Sequence, residues 1–352
     1  MKHLRGNSLN ASVIALTVFI LAGYFVSIAG CGGGGGSSSQ GYSGENSGGS
    51  SNVPSPSPSP TATVSETWIL KGLALGQAIG NETQNVFMPD VLRLDSGSYR
   101  MFYGHLSAVG NSIKYAESAD GINWTVKGTV LQGASNPADR EYQISGPSVV
   151  KLADGRYRMY YQASPQSSIN EMPKLYVRSA ISDDGINFTK EGVVIDISAY
   201  NPGAYFSLAG HGTYFITANG IYVGIFSGNA QGYTGPSSLY MGTSADGLTF
   251  GNFVELYKNW HDPIVINTGG SYVLYATYLR EKQGKATSTD GSTWSSQMAD
   301  VSFVDTWGNI LTEANSGVGD IGGLMLPSGN IRLYTNYWSS TGSTDIVYFE
   351  KQ

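Results

Sequence analysis

Apolar and aromatic residues along this chain fall into short runs that Asp-Gly, Ser-Gly and Gly-Gly pairs cut at near-regular intervals. Residues 89–94 run into a turn at Asp95-Ser96-Gly97 and resume over 98–103. Residues 147–152, the turn Ala153-Asp154-Gly155 and residues 156–161 match them almost position by position. Equivalents span 212–226 through Asn219-Gly220, 263–275 through Gly269-Gly270, and 321–334 through Ser328-Gly329. A second phrase, Ser-x-Asp-Gly-x-x-aromatic, follows four of them at 118–124, 182–188, 244–250 and 288–294. Asp-Gly suits the two positive φ angles of a type I′ hairpin, and the aromatic restarts a strand. Two hairpins per unit give four antiparallel strands, and five such units predict an all-β fold, a five-bladed β-propeller.

The fifth unit ends at residues 344–350, one outer strand short. Residues 68–75 carry the pattern of 124–131, the outer strand of the first unit. An N-terminal strand is therefore predicted to complete the last blade and close the ring, which removes an open sheet edge.

Only residues 67–352 read as globular. Residues 32–65 are Gly/Ser-rich and then Pro-rich, too poor in apolar groups to offset ordering entropy, and so read as a tether. Before them, Lys2, His3 and Arg5 precede an apolar run over 11–29, the layout of an export signal over residues 1–30. Ile28-Ala29-Gly30-Cys31 resembles the lipobox of bacterial lipoproteins. That resemblance implies cleavage before Cys31, lipidation there, and a membrane anchor continued by the arm over 31–66. Gly32 in place of an acidic residue favours the outer membrane, with the domain exported to the cell envelope. Cys31 is the only cysteine, so no intrachain disulfide forms.

The net charge of -6, with Lys and Arg scattered singly, argues against nucleic acid. Charged residues make up 13% of the chain against 23 tyrosines, a balance suited to a neutral, hydroxyl-rich ligand. A monomer without cofactor is expected.

In a propeller the first strand of each blade lines the central channel. Aligning the units places Met88, Gly146, His211, Asp262 and Asp320 at one station near its mouth, with Asp90 one period deeper. Three carboxylates and a histidine thus converge, and glycosidic cleavage needs two carboxyl groups of separated pKa. Glu141, before the second unit, and Glu313, before the fifth, are candidates for a proton donor. His211, His261 and Trp260 are candidate sugar contacts. With no second His at ligand spacing, no metal site is expected. Arg100, Arg158 and Arg332 recur on second strands, which favours structural pairing.

The repeats Asp-Pro, Asp-Gly, Tyr-x-Met-Tyr-Tyr and Ser-x-Asp-Gly-x-x-Trp/Phe resemble those of the five-bladed glycoside hydrolases of the arabinanase, levansucrase and invertase group. The resemblance implies a sugar site at the channel mouth with an Asp base or nucleophile on the first blade, an orienting Asp, and a Glu acid on a later blade. Asp90 matches the first in position, though as Pro89-Asp90, while Asp262-Pro263 carries the Asp-Pro phrase on the fourth unit. No glutamate takes an equivalent channel position. A carbohydrate-binding or protein-binding propeller without catalysis is the alternative.

Overall fold

The computed structural model describes residues 66–106, 111–165, 174–339 and 342–352. The predicted export signal, Cys31 and the tether lie outside the described residues. Three units are four-stranded antiparallel sheets in chain order. The first comprises β2 (Val86–Arg93), β3 (Tyr99–His105), β4 (Ser112–Ser118) and β5 (Thr125–Gln132). The second comprises β6 (Gln143–Lys151), β7 (Tyr157–Ser164), β8 (Tyr176–Ser182) and β9 (Thr189–Ile195). The third comprises β10 (Phe206–Ile216), β11 (Tyr222–Ala230), β12 (Ser238–Ser244) and β13 (Gly251–Tyr257).

The other strands form one eight-stranded sheet. It runs β14 (Trp260–Asn267), β15 (Tyr272–Tyr278), β16 (Lys282–Ser288), β17 (Ala299–Val304), β1 (Glu66–Leu75), β20 (Thr344–Lys351), β19 (Ile331–Trp338), β18 (Gly322–Met325). Strand β1 pairs antiparallel with β20 and parallel with β17, from Glu66↔Val301 to Ile69↔Val304. Its Trp68 is fully buried, edge-on to Tyr275 at 5.6 Å and stacked on Phe303 at 6.3 Å. First strands touch in the order β2, β6, β10, β14, β18, and β18 in turn touches β2. The architecture is all-β and propeller-like.

The two hairpins of a unit turn differently. In the first, Gly97 N–H donates to Leu94 O at 2.9 Å and Leu94 N–H to Ser98 O at 2.8 Å, with Gly97 at φ 88°. The second is not the expected type I′ turn, because only its glycine is left-handed: Gly121 has φ 71° and Asp120 does not join it. The aspartate acts through its side chain. Asp120 Oδ1 accepts from the N–H groups of Ile122 and Asn123, each at 2.8 Å, and Ser118 Oγ accepts from Gly121 N–H at 2.8 Å. The same bonds recur around Asp184, Asp246 and Asp290.

These turns are docking points for the neighbouring unit. Arg158 pairs with Glu191 and donates from Nη1 to Asp246 O at 2.8 Å, while Tyr160 Oη donates to Gly247 O at 2.8 Å. Arg100 donates to the carbonyls of Asp184 and Gly185, and Arg332 with Tyr334 to those of Asp120 and Gly121. The recurring arginines are therefore structural latches from one second strand to the next turn. A Cβ on Gly247 would lie 2.5 Å from Arg158 Nη1, so close approach requires glycine there as much as its φ of 73° does.

Arg158→Ala leaves the largely buried Glu191 carboxylate and the Asp246 carbonyl without their cation. It is expected to cost about 3 kcal/mol, whereas Lys151→Ala, at an exposed pair with Asp95, costs less than about 1 kcal/mol. Denaturant unfolding of the two variants checks the difference.

Candidate active site

Four first strands carry a bulge. Pairing skips Met88-Pro89 in β2, Gly146-Pro147 in β6, Gly210-His211 in β10 and Asp262-Pro263 in β14. Met88, Gly146, Asp262 and, just ahead of β18, Asp320 take φ of 53°, 59°, 53° and 48°. Left-handed backbone is uncommon for residues other than glycine, and a bulge re-aims its side chain out of the strand's alternation. Partners from second strands secure the turned backbone. Asn336 Oδ1 accepts from Met88 N–H and Ser227 Oγ from Asp262 N–H, both at 2.9 Å. Counted from the start of the second strand, Asn336 and Ser227 occupy the place of Gln162, so a repeat alignment marks this polar position.

The bulges bring His211, Asp262 and Asp320 together. His211 Nδ1 lies 3.5 Å from Asp262 Oδ1 and 3.4 Å from Asp320 Oδ1. His261 Nδ1 lies 2.7 Å from Asp262 Oδ2, and its Nε2 lies 3.7 Å from Glu313 Oε2. Asn336 Nδ2 donates to Asp320 Oδ2. Glu313 begins the one-turn helix α1 (Glu313–Ser316), whose N-cap Thr312 and Asn315 bond reciprocally. Arg280 Nε reaches Glu313 Oε1 at 2.8 Å from a hairpin in which Leu279 and Arg280 both have positive φ. The imidazoles are buried, whereas Asp320, Asp262 and Glu313 keep 14%, 18% and 20% of their side-chain surface.

Crowding separates the ionisations. Burial, joined by the Asp262 and Asp320 carboxylates, pushes Glu313 up to about 7, against His261 and Arg280. Burial acts upward on Asp262 too, but His261 and His211 outweigh it and hold that carboxyl well below the usual range. Burial and the Asp262 charge raise Asp320. Burial disfavours a charged His211, yet Asp262 and Asp320 lift it to about 10, so it is an imidazolium at neutral pH. Close carboxylates are expected to behave in this way, one ionised and another holding its proton.

The atoms of His211, Asp262 and Asp320 lie within 4.8 Å of one another, as do those of His261, Asp262 and Glu313. Either triplet has the spacing of a cation site. Sequence spacing does not reveal this, because each triplet has one histidine and draws carboxylates from other units or from the segment before β18.

The remaining predicted residues sit apart from this cluster or behind it. Asp90 is buried, and its Oδ2 accepts from Val149 N–H at 2.7 Å. Ser148 and Thr213 make the same bond to Tyr214 and Val265, so this position ties adjacent first strands at three successive junctions. Burial pushes Asp90 up to about 6, against the Val149 N–H and the nearby His211. Glu141 is held by Tyr161 Oη at 2.7 Å, Arg178 at 2.8 Å and Lys190 at 3.4 Å. Glu82 makes the matching contacts with Tyr103 and Lys114 in the first unit, which marks a repeated structural pairing. Trp260 is buried against Tyr278 at 5.1 Å and covers Gly284, so it presents little ring to a ligand. Arg280 has no counterpart in the repeats and carries no sequence signal.

No family profile and no curated protein matches the sequence. Solved structures do. A family 117 glycoside hydrolase of the marine bacterium Zobellia galactanivorans has a TM-score of 0.63 at 14% identity, over 82% of this chain and 91% of that one. An alpha-L-arabinofuranosidase from Lactobacillus brevis has 0.59 at 16%, over 76% and 91%. An exo-beta-1,3-galactanase from Clostridium thermocellum has 0.57 at 16%, over 80% and 61%. At these identities the likeness is one of fold, and the chain has a glycoside hydrolase-like fold of the propeller type.

Proposed function

We propose that the five units close into one five-bladed ring and that the protein hydrolyses glycosidic bonds at the Asp262–Asp320–Glu313 cluster. The cyclic contacts of the first strands and the place of β1 beside β20 support the ring. One observation carries the activity: Glu313, raised to about 7, and Asp262, held ionised, have oxygens within 4.8 Å of each other. Protonated Glu313 donates to the glycosidic oxygen as the bond to the anomeric carbon breaks, and the departing sugar leaves as the alcohol. Ionised Asp262 stabilises the positive charge that develops on the ring until water adds to the anomeric carbon and returns a proton to the Glu313 carboxylate, so the sugar leaves as the hemiacetal and the acid is restored. Asp320, bonded to Asn336 and facing the His211 imidazolium, orients the substrate. Asp90 and Glu141 stay with the scaffold in this reading. Furanosides and galactosides are the first substrates to try, given the arabinofuranosidase and galactanase of similar fold. We place the enzyme as a monomeric lipoprotein of the cell envelope, exported and anchored through Cys31.

A glycan-binding role without turnover is the second reading, favoured by one feature: all three carboxyl groups already face an imidazole or Arg280.

Turnover of aryl arabinofuranosides, aryl galactosides, arabinan and β-1,3-galactan decides between the two. Asp262→Asn and Glu313→Gln are each expected to lower kcat by roughly 10²–10⁴-fold with the circular dichroism spectrum unchanged. An inactive parent whose glycan affinity changes in these variants would establish the binder instead.

The acid must carry its proton, so kcat/KM is expected to decline above about pH 7, while depressed Asp262 keeps activity well into the acid range. In carboxyl-selective NMR titration the Glu313 midpoint near 7 should rise in Arg280→Met, which removes a neighbouring cation, and fall in Asp320→Asn, which removes a neighbouring anion.

Cys31→Ser is expected to abolish lipidation and release the protein from membranes. An unmodified Cys31 in the mature native protein, seen by mass spectrometry, would refute the anchor.

A further inference from the structure

The segment between β17 and α1 is built as a presentation hairpin. Val304 and Ile310 form a bridge, Asp305 N–H donates to Asn309 O at 3.0 Å, and Gly308 turns at φ 88°. Asp305 spends its carboxylate inside the loop. Its Oδ1 accepts from Trp307 N–H at 2.9 Å and Asn309 N–H at 2.8 Å, and its Oδ2 from Asn309 Nδ2 at 2.7 Å. The residue this framework displays is Trp307, 85% exposed, with Ile310 beside it at 63%. Three residues past Ile310 the chain delivers Glu313.

A second indole borders the same helix from its other end. Trp338, 45% exposed, lies against Gly317, the C-cap of α1, where a Cβ would come within 2.7 Å of the ring. It sits two residues beyond Asn336, which holds Asp320. The one-turn helix carrying Glu313 is thus entered from a hairpin bearing one exposed tryptophan and left beneath another.

We propose that Trp307 and Trp338 are stacking platforms for a neutral polysaccharide chain that crosses the rim beside Glu313. An indole offers a broad apolar face with only two side-chain torsions to immobilise, and the C–H face of a sugar ring matches it. The hairpin presents no cation, and the one carboxylate of residues 305–310 is bonded to the loop's own N–H groups. An anionic polymer finds no cation to pair with there and meets the Asp305 charge. A stable protein partner needs about 800 Å² per side, more than two indoles and an isoleucine provide. The platforms rest on the glycan reading of the site and add to it a preference for a chain over a single sugar.

Affinity electrophoresis through gels containing arabinan or β-1,3-galactan tests this in the Asp262→Asn background, where the polymer stays intact. Retardation in at least one gel is expected, with Trp307→Ala and Trp338→Ala each weakening it about tenfold. Ile79→Ala, at an exposed apolar residue of another loop, should match the background. Unchanged melting of Trp307→Ala excludes misfolding, and Trp338→Phe keeps a ring on Gly317 should Trp338→Ala melt early. Retardation independent of both tryptophans would overturn the platforms, as would no retardation in either gel. Self-association abolished by Trp307→Ala, without polymer binding, would assign the surface to a second copy of the chain. Loss of the hydrolase reading is separate: an inactive parent with tryptophan-dependent retardation leaves the platforms standing.

Discussion

The site depends on a backbone constraint, the left-handed residue at the opening of four of the five first strands. A regular strand would send successive side chains to alternate faces. At Asp262 the bulge instead turns one carboxylate toward both histidines. Such residues cost on the order of 1–3 kcal/mol each. Second-strand amides and hydroxyls offset the cost by bonding the turned N–H groups, as Asn336 does for Met88 and Ser227 for Asp262. The stations also accommodate one another. At Gly146 a Cβ would lie 3.0 Å from the His211 ring, so a glycine on one unit makes room for the imidazole of the next.

Once the backbone has placed these side chains, their protonation follows from proximity. Three carboxyl groups in one desolvated volume cannot all ionise, and two imidazoles select which one does. Asp262 touches both and is ionised, whereas Glu313 meets one imidazole and feels two carboxylates, so it keeps its proton to about pH 7. No special chemistry beyond burial and neighbours is required.

The repeat grammar was legible in the sequence because each unit solves the same problem with the same residues. Turn glycines, latch arginines and the mouth station all align. Two features resisted reading for identifiable reasons. Ser-x-Asp-Gly looks like a type I′ turn by composition, yet the aspartate caps N–H groups with its side chain instead of turning its own backbone. Glu313 was visible as a candidate beside Glu141, but sequence could not rank them. The discriminating facts are the repetition of Glu141's contacts at Glu82 and the position of Arg280, which belongs to no repeat. The parallel contact of β1 with β17 was equally hidden, since hairpin patterns report only neighbours along the chain.

That contact gives the domain a mechanical character. The chain enters the described fold at Glu66 through a strand bonded along both edges, to β17 on one side and β20 on the other. Tension applied to the N-terminus along β1 loads both ladders in shear, so their hydrogen bonds share the force instead of opening one by one. Glu66 reinforces the entry point, bonded to Tyr275, Lys285 and Lys351. The strand held between β17 and β20 is thereby also the force-bearing clamp of the domain.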